Sequence, residues 1–297
     1  MGILRGVYVV LVTPFTGDGK VDYDGMSKNV EWLISQGIHG VIPLGSTGEF
    51  ASLNDEQKRK IAQTVITAVD GRIPVVMGAS AETPEKATEY VAQAKELGAA
   101  GALVLPPWYY IPDPDEIVHH YACISQAVDL PIMIYNNPFT SKIDIEPETV
   151  SRLAELPTID CIKESSGNFR RIAEIRQLTD DKLGVFCGWE DMAYEFFLMG
   201  AIGWVCVIGN VVPKMAADLF ELVTEKKDLD AAWTLYKKML PLLRYLEYAG
   251  KTQKALKYAL DRMGLCGGHS SSPKLPLDDE EKTKVDRMLH DLGVPVR

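Results

Sequence analysis

Short apolar runs recur along the chain, and after each one apolar residues return every three or four positions. The runs fall at 7–12, 40–44, 74–78, 101–105, 131–135, 159–163, 184–188 and 203–207. They are apolar at successive positions rather than alternate ones, which predicts strands covered on both faces, as in a parallel sheet between helices. The amphipathic stretches predict helices over 23–36, 55–69, 84–97, 115–128, 147–156, 169–178, 191–199 and 213–225. Asn54 ahead of Asp55-Glu56-Gln57, and Thr83-Pro84-Glu85 with proline in the first turn, mark helix starts. Gly37, Gly71, Gly98 and Gly200 mark helix ends and turns.

Eight strand–helix units in succession make an α/β chain with the count of a (β/α)8 (TIM) barrel. The rival is an open doubly wound sheet, which has a glycine-rich phosphate turn after its first strand; Thr13-Pro14-Phe15 is not one. Residues 1–225 are read as the barrel and 226–297 as a C-terminal helical extension. The extension carries helices over 228–249, 252–263 and 278–292 and a Ser/Gly/Pro linker at 267–276. These helices pack on one side of the barrel, where they shape the site mouth, form an oligomer contact or simply pack.

Composition narrows the classes. A chain of 297 residues, 46% hydrophobic and 24% charged, can bury a large core. A net charge of −10 leaves no basic stripe for nucleic acid, and an anionic substrate needs local compensation. Cys123, Cys161, Cys187, Cys206 and Cys266 show no metal or redox spacing and read as reduced thiols of a cytoplasmic protein. The start, Met1-Gly2-Ile3-Leu4-Arg5-Gly6, runs directly into a strand rather than through a leader. No apolar run reaches the ~20 residues that span a bilayer.

The barrel places candidate chemistry on one rim, at the C-terminal strand ends. Lys163 closes the sixth run, with Glu164-Ser165-Ser166-Gly167 after it. An amine held among apolar neighbours can lose its proton near neutral pH and attack a carbonyl carbon. An isolated strand-end lysine would be explained as well by its reaching into water. Gly45-Ser46-Thr47-Gly48-Glu49 follows the second run, a tight turn whose N–H and O–H groups can converge on a carboxylate. Pro106-Pro107-Trp108-Tyr109-Tyr110 follows the fourth and Tyr135-Asn136-Asn137-Pro138 the fifth. Gly188 ends the seventh, allowing a ligand to lie close to the backbone. No His, Asp or Glu is expected at a strand tip beside the lysine, which disfavours a Ser-His-Asp triad and a bound metal. Gly250-Lys251-Thr252 is not a phosphate loop, because Tyr245 stands where its first glycine is required.

In these three marks, Gly45-Ser46-Thr47-Gly48-Glu49, Tyr135-Asn136-Asn137-Pro138 and Lys163-Glu164, the chain resembles the dihydrodipicolinate synthase / N-acetylneuraminate lyase family over essentially its whole length. The resemblance implies a barrel lyase without organic cofactor, acting on a small 2-oxo acid and assembled as a homotetramer, a dimer of dimers. It implies that Lys163 forms the imine, Tyr135 shuttles protons, and Ser46 and Thr47 bind the 2-oxo acid carboxylate and link Tyr135 to solvent. Tyr109 matches the aromatic residue that a neighbouring subunit inserts into the site. Gly188 stands with the substrate-binding positions, and Thr140, Trp189 and Val205 with those that tune the far end of the pocket.

One departure bears on the reaction. The family's synthases carry an arginine two positions after the Tyr-Asn-x-Pro segment to hold the second substrate's carboxylate, and sialic acid lyases usually share it. Here that position is Thr140. Losing a bidentate guanidinium weakens both assignments. The segment is similar instead to enzymes acting on 2-oxo-3-deoxypentonates or pyrroline-4-hydroxy-2-carboxylate, which are dehydratases and deaminases. The alternatives are 4-hydroxy-tetrahydrodipicolinate synthase, a pyruvate-dependent aldolase and a non-catalytic binding barrel.

Overall fold

A computed structural model describes residues 4–297, so residues 1–3 of the expected run into the first strand lie outside the described residues. The eight expected strands form: β1 (Gly6–Val10), β2 (Gly40–Ile42), β3 (Val76–Gly78), β4 (Gly101–Val104), β5 (Ile132–Asn136), β6 (Ile159–Glu164), β7 (Gly184–Cys187) and β8 (Gly203–Cys206). All pair in parallel, in the order β2-β1-β8-β7-β6-β5-β4-β3. A parallel bridge between Val41 and Val75 joins the two ends and closes the barrel. β2 stops short of the expected 40–44 because Pro43 has no N–H to give and Leu44 turns left-handed at φ 61°.

The helices between strands are α1 (Tyr23–Ser35), α2 (Asp55–Val69), α3 (Pro84–Leu97), α4 (Pro114–Ala127), α5 (Pro138–Ser141), α6 (Pro147–Leu153), α7 (Arg171–Leu178), α8 (Ala193–Leu198) and α9 (Pro213–Glu221). The marked starts behave as their chemistry requires: Asn54 and Gln57 form a reciprocal capping box, and Thr83 accepts the Lys86 N–H. The short α5 was not expected from the pattern; Asn137 caps it and Pro138 opens it. The helix expected over 191–199 breaks at Asp191, whose ψ of 29° separates a 3-10 turn from α8. Beyond α9 a π turn, Leu222–Lys226, leads to α10 (Leu229–Tyr248), α11 (Thr252–Arg262) and α12 (Asp279–Leu292).

The barrel interior is a packed core. Tyr8 from β1 lies edge-on to Phe186 from β7, their ring centroids 5.7 Å apart. Gly40 on β2 makes the space, since a Cβ there would lie 2.2 Å from Tyr8 Cε1. Tyr8→Ala is expected to cost on the order of 3–5 kcal/mol in urea unfolding. Gly40→Ala should destabilise by itself, yet add less in the Tyr8→Ala background, where the ring is gone. Strictly additive losses would show that the two positions do not share this space.

Candidate active site

Lys163 on β6 and Tyr135 on β5 are register partners on adjacent strands. The Lys163 ammonium stands 4.0 Å from the centre of the Tyr135 ring, and the lysine is only 5% exposed. Asn137 Nδ2 donates to the Tyr135 hydroxyl at 2.9 Å while its Oδ1 accepts the Thr140 N–H at 3.1 Å. One side chain therefore caps α5 and occupies an acceptor position of the phenol, leaving the phenolic proton to be donated elsewhere. Gly188 N–H donates to the Glu164 carbonyl at 2.8 Å. A Cβ at Gly188 would lie 1.9 Å from Ser165 Oγ and 2.8 Å from Lys163 Cγ, so the glycine is what lets the lysine side chain pass.

The hydroxyl turn is bounded by two non-glycine residues in left-handed conformation, Leu44 (φ 61°) and Glu49 (φ 60°). Such positions cost on the order of 1–3 kcal/mol each and persist only where neighbours over-determine them. Here the neighbours are explicit. Thr13 Oγ1 donates to the Gly48 carbonyl at 2.7 Å. The buried Glu49 carboxylate accepts from Lys257 Nζ (2.6 Å), Lys274 Nζ (3.0 Å), and both the N–H (2.9 Å) and Oγ (2.6 Å) of Ser271. Burial pushes Glu49 up, but the hydrogen bonds from Lys257 and Ser271 outweigh it and hold the carboxyl below its usual range. Burial also pulls Lys257 down, against the pairing. With four donors on Glu49, the ionised pair and the depressed carboxyl govern. Ser46 Oγ is buried with no hydrogen-bond partner among the described residues, and Thr47 beside it is buried too.

The expectation that no acid stands at a strand tip beside the lysine is overturned. Glu164, next to it on β6, is buried and accepts from Asn136 Nδ2 (3.0 Å) and Ser166 N–H (2.6 Å). Burial raises its pKa against those bonds. Glu190, two residues past Gly188, is buried and accepts the N–H groups of Val207 (2.7 Å) and Ile208 (3.0 Å), which ties the end of β7 to the loop after β8. Glu247 from α10 accepts the Glu190 N–H at 2.8 Å. Burial, then the Glu247 charge, pushes Glu190 up to about 8, while the two backbone bonds and Lys163 act oppositely. Burial raises Glu247 as well. A carboxylate 84 positions from Lys163 on a helix outside the eight-unit repeat leaves no local pattern to find.

The remaining expected residues are spread over several elements. Val205 is buried on β8 opposite Tyr8. Thr140 is exposed on α5 and, with Ser46, Trp108, Gln253 and Lys274, lines a cavity of about 280 Å³. Trp189 packs on Phe139, ring centres 5.1 Å apart, and its Nε1 donates to the Tyr248 hydroxyl at 3.3 Å. Tyr109 stands apart: it is 76% exposed, with its ring on Tyr110 and its N–H on Glu82. Among the described residues no three His, Cys, Asp or Glu side chains gather as a metal site, and no helix is long and apolar enough to cross a membrane.

The fold and site define a class: a closed (β/α)8 barrel with a buried lysine at the C-terminal end of β6. The chain belongs to the dihydrodipicolinate synthetase family, whose model matches residues 3–292. The 4-hydroxy-tetrahydrodipicolinate synthase of Bartonella bacilliformis is 34% identical over 293 residues, 98% of this chain and 99% of that protein. The synthase of Methanocaldococcus jannaschii is 30% identical over 98% of this chain and 100% of its own length. The dihydrodipicolinate synthase structure from Aquifex aeolicus matches with a TM-score of 0.95 at 29% identity, over 99% of this chain and 100% of that one. The Acinetobacter baumannii dihydrodipicolinate synthase complexed with pyruvate matches at 0.92 and 33%, over 98% and 99%.

Two outcomes are expected of this geometry. Gly188→Ala should displace the Lys163 side chain and lower kcat far more than it lowers thermal stability; unchanged kcat would show that the contact with Lys163 Cγ is not limiting. The second concerns pH. Glu190 rises from an ordinary 4.5 to about 8, so the folded state holds its proton more tightly than the unfolded chain. Its contribution to stability is complete below that ordinary value and is lost as pH climbs through the raised one. Glu247→Gln removes the second cause of the rise, so the variant should gain stability relative to wild type between about pH 5 and pH 8. Parallel urea midpoints across that range would refute the coupling.

Proposed function

We propose that this lyase works through an imine on Lys163, and that it removes a C4 substituent from a 2-oxo-3-deoxy sugar acid or a cyclic imino acid. The observation that carries the reading is the pairing of buried Lys163 with Tyr135 on adjacent strands, and the buried, unpartnered Ser46 hydroxyl on the turn after β2 adds to it. Lys163 Nζ adds to C2 of the 2-oxo acid and water leaves, giving an iminium that draws electrons from C3. Ser46 and Thr47 hold the C1 carboxylate so that C3 faces the base. Tyr135 exchanges protons with the reacting atoms, and Ser46 connects it to solvent. Loss of the C3 proton forms an enamine, whose electron pair expels the C4 hydroxyl as water; hydrolysis of the new iminium returns Lys163. In the deaminase form a ring imine enters in place of the ketone; Lys163 adds to its C=N carbon and the ring opens to a C5 amine, elimination at C4 follows, and hydrolysis of the resulting C5 imine releases ammonia. Gly188 gives the backbone room for the bound acid, and Val205 and Trp189 bound the pocket.

Thr140 supports this choice over condensation, because the family's carboxylate-binding arginine would stand at its position on α5. A second reading, 4-hydroxy-tetrahydrodipicolinate synthase, is favoured by the names of the relatives and by Lys274, a cation lining the cavity beside Thr140. We further propose a homotetramer in which Tyr109, largely exposed on one chain, reaches the site of a neighbour. All five cysteines are free, which suits a cytoplasmic protein.

Borohydride reduction in the presence of pyruvate is expected to leave a covalent adduct on Lys163, absent from Lys163→Ala. No adduct in the wild type would leave a binding barrel. Tyr135→Phe should lower kcat about 10²–10⁴-fold while still trapping the adduct. Across a panel of 2-oxo-3-deoxypentonate, pyrroline-4-hydroxy-2-carboxylate, and pyruvate with aspartate semialdehyde, elimination is expected to dominate. Faster condensation would establish the second reading.

A further inference from the structure

A second cavity, of about 260 Å³, lies between α11, the 267–276 segment and α12. Four lysines line it, Lys254, Lys257, Lys274 and Lys282, together with His269 and a single acid, Asp261. In a chain with ten more acidic than basic residues, this concentration of cations is a local exception.

Pairing within the fold accounts for only part of it. Lys257 and Lys274 share one carboxylate, Glu49. Asp261 Oδ1 is engaged by the N–H groups of Gly267 (2.8 Å) and Gly268 (3.2 Å). Lys282 pairs at 2.9 Å with Asp279, a residue of its own helix whose side chain is 97% exposed. An ion pair so open to water contributes little and releases its lysine readily. Lys254 has no ion pair or hydrogen bond among the described residues, and the His269 ring has none either. The cleft therefore has more cations than its single acid, Asp261, can meet, with Lys254 unpaired and Lys282 weakly paired, in a volume just below the range that holds drug-sized ligands.

We propose that this cleft binds a small oxyanion, a phosphate or a carboxylate, held chiefly by Lys254 and Lys282. The site is separate from the rim but joined to it. Lys274 lines both this cleft and the 280 Å³ cavity beside Ser46, and with Lys257 it grips Glu49 at the end of the hydroxyl turn. An anion that draws Lys274 toward the cleft loosens its hold on Glu49, so occupancy is transmitted to the turn that carries Ser46 and Thr47. By linkage, a ligand that tightens the turn changes the anion's affinity equally.

The test is titration calorimetry of the full-length protein with inorganic phosphate, sulfate and succinate at constant ionic strength, with chloride as the control. Saturable binding of at least one oxyanion is expected, with phosphate against succinate separating the two sources of the chemistry. Lys254→Gln should weaken it at least tenfold and Lys282→Gln by less, with unchanged circular dichroism. Either variant alone carries the test should the other fail to fold. No saturable binding, or equal binding by a folded Lys254→Gln, overturns the site. Hydrogen exchange over residues 44–50 should change when the cleft is saturated; unchanged exchange overturns the link to the rim. None of these measurements depends on the reaction proposed above.

Discussion

The carboxylate of Glu49 sets a condition that much of the rim has to satisfy. An ionised carboxylate sealed from water must be met by hydrogen-bond donors and cations. Glu49 is met by Lys257 from α11 and by Ser271 and Lys274 from the segment after it, more than 200 positions along the chain. The left-handed backbone at Glu49 is thereby held from behind, at the end of the turn that carries Ser46 and Thr47. The net stability from such a pair is small, because desolvation offsets most of the attraction, whereas removing one partner costs roughly 3–5 kcal/mol. Its effect is geometric, and it binds the C-terminal helices to the barrel mouth.

The repeating part of this architecture is legible in the sequence because it is local. A strand buried on both faces needs consecutive apolar residues, and an outer helix needs its 3.6-residue period, so each unit shows itself within a short window. Lys163, Tyr135 and the hydroxyl turn are legible for the same reason: each ends or follows such a run. The parts that escape are those where the fold brings distant residues together. Glu247 reaches Glu190 from α10, and Lys257 reaches Glu49 from α11; neither pairing leaves a spacing to read. Helix α5 escapes because four residues are too few for a period, although Asn137-Pro138 is a capping pair in hindsight.

Glu190 and Glu247 show what the rim tolerates. Two ionised carboxylates enclosed together repel, and burial disfavours each of them further. Here burial raises both pKa values, Glu190 to about 8, and the N–H groups on Glu190 come from the backbone rather than from a cation. A neutral acid can still accept those N–H groups and fasten β7 to the loop after β8. Glu49 takes the opposite solution, ionised among lysines. The same side chain thus does two jobs, chosen by whether cations can reach it.

The far end of the pocket follows from what surrounds Thr140. Phe139, its neighbour in the chain, packs at a tilt on Trp189, Tyr248 accepts the indole N–H, and Asn137 spends its own oxygen on the Thr140 N–H. These groups offer ring faces and neutral hydroxyls, and the cation that shares the cavity, Lys274, is already bonded to Glu49 and Ser271. To hold a second carboxylate there, Lys274 would have to give up part of the bonding that fixes the hydroxyl turn. An uncharged, hydroxyl-bearing tail makes no such demand. On the reading proposed here, the anchoring of Glu49 and the preference for elimination over condensation are therefore linked through a single ammonium group.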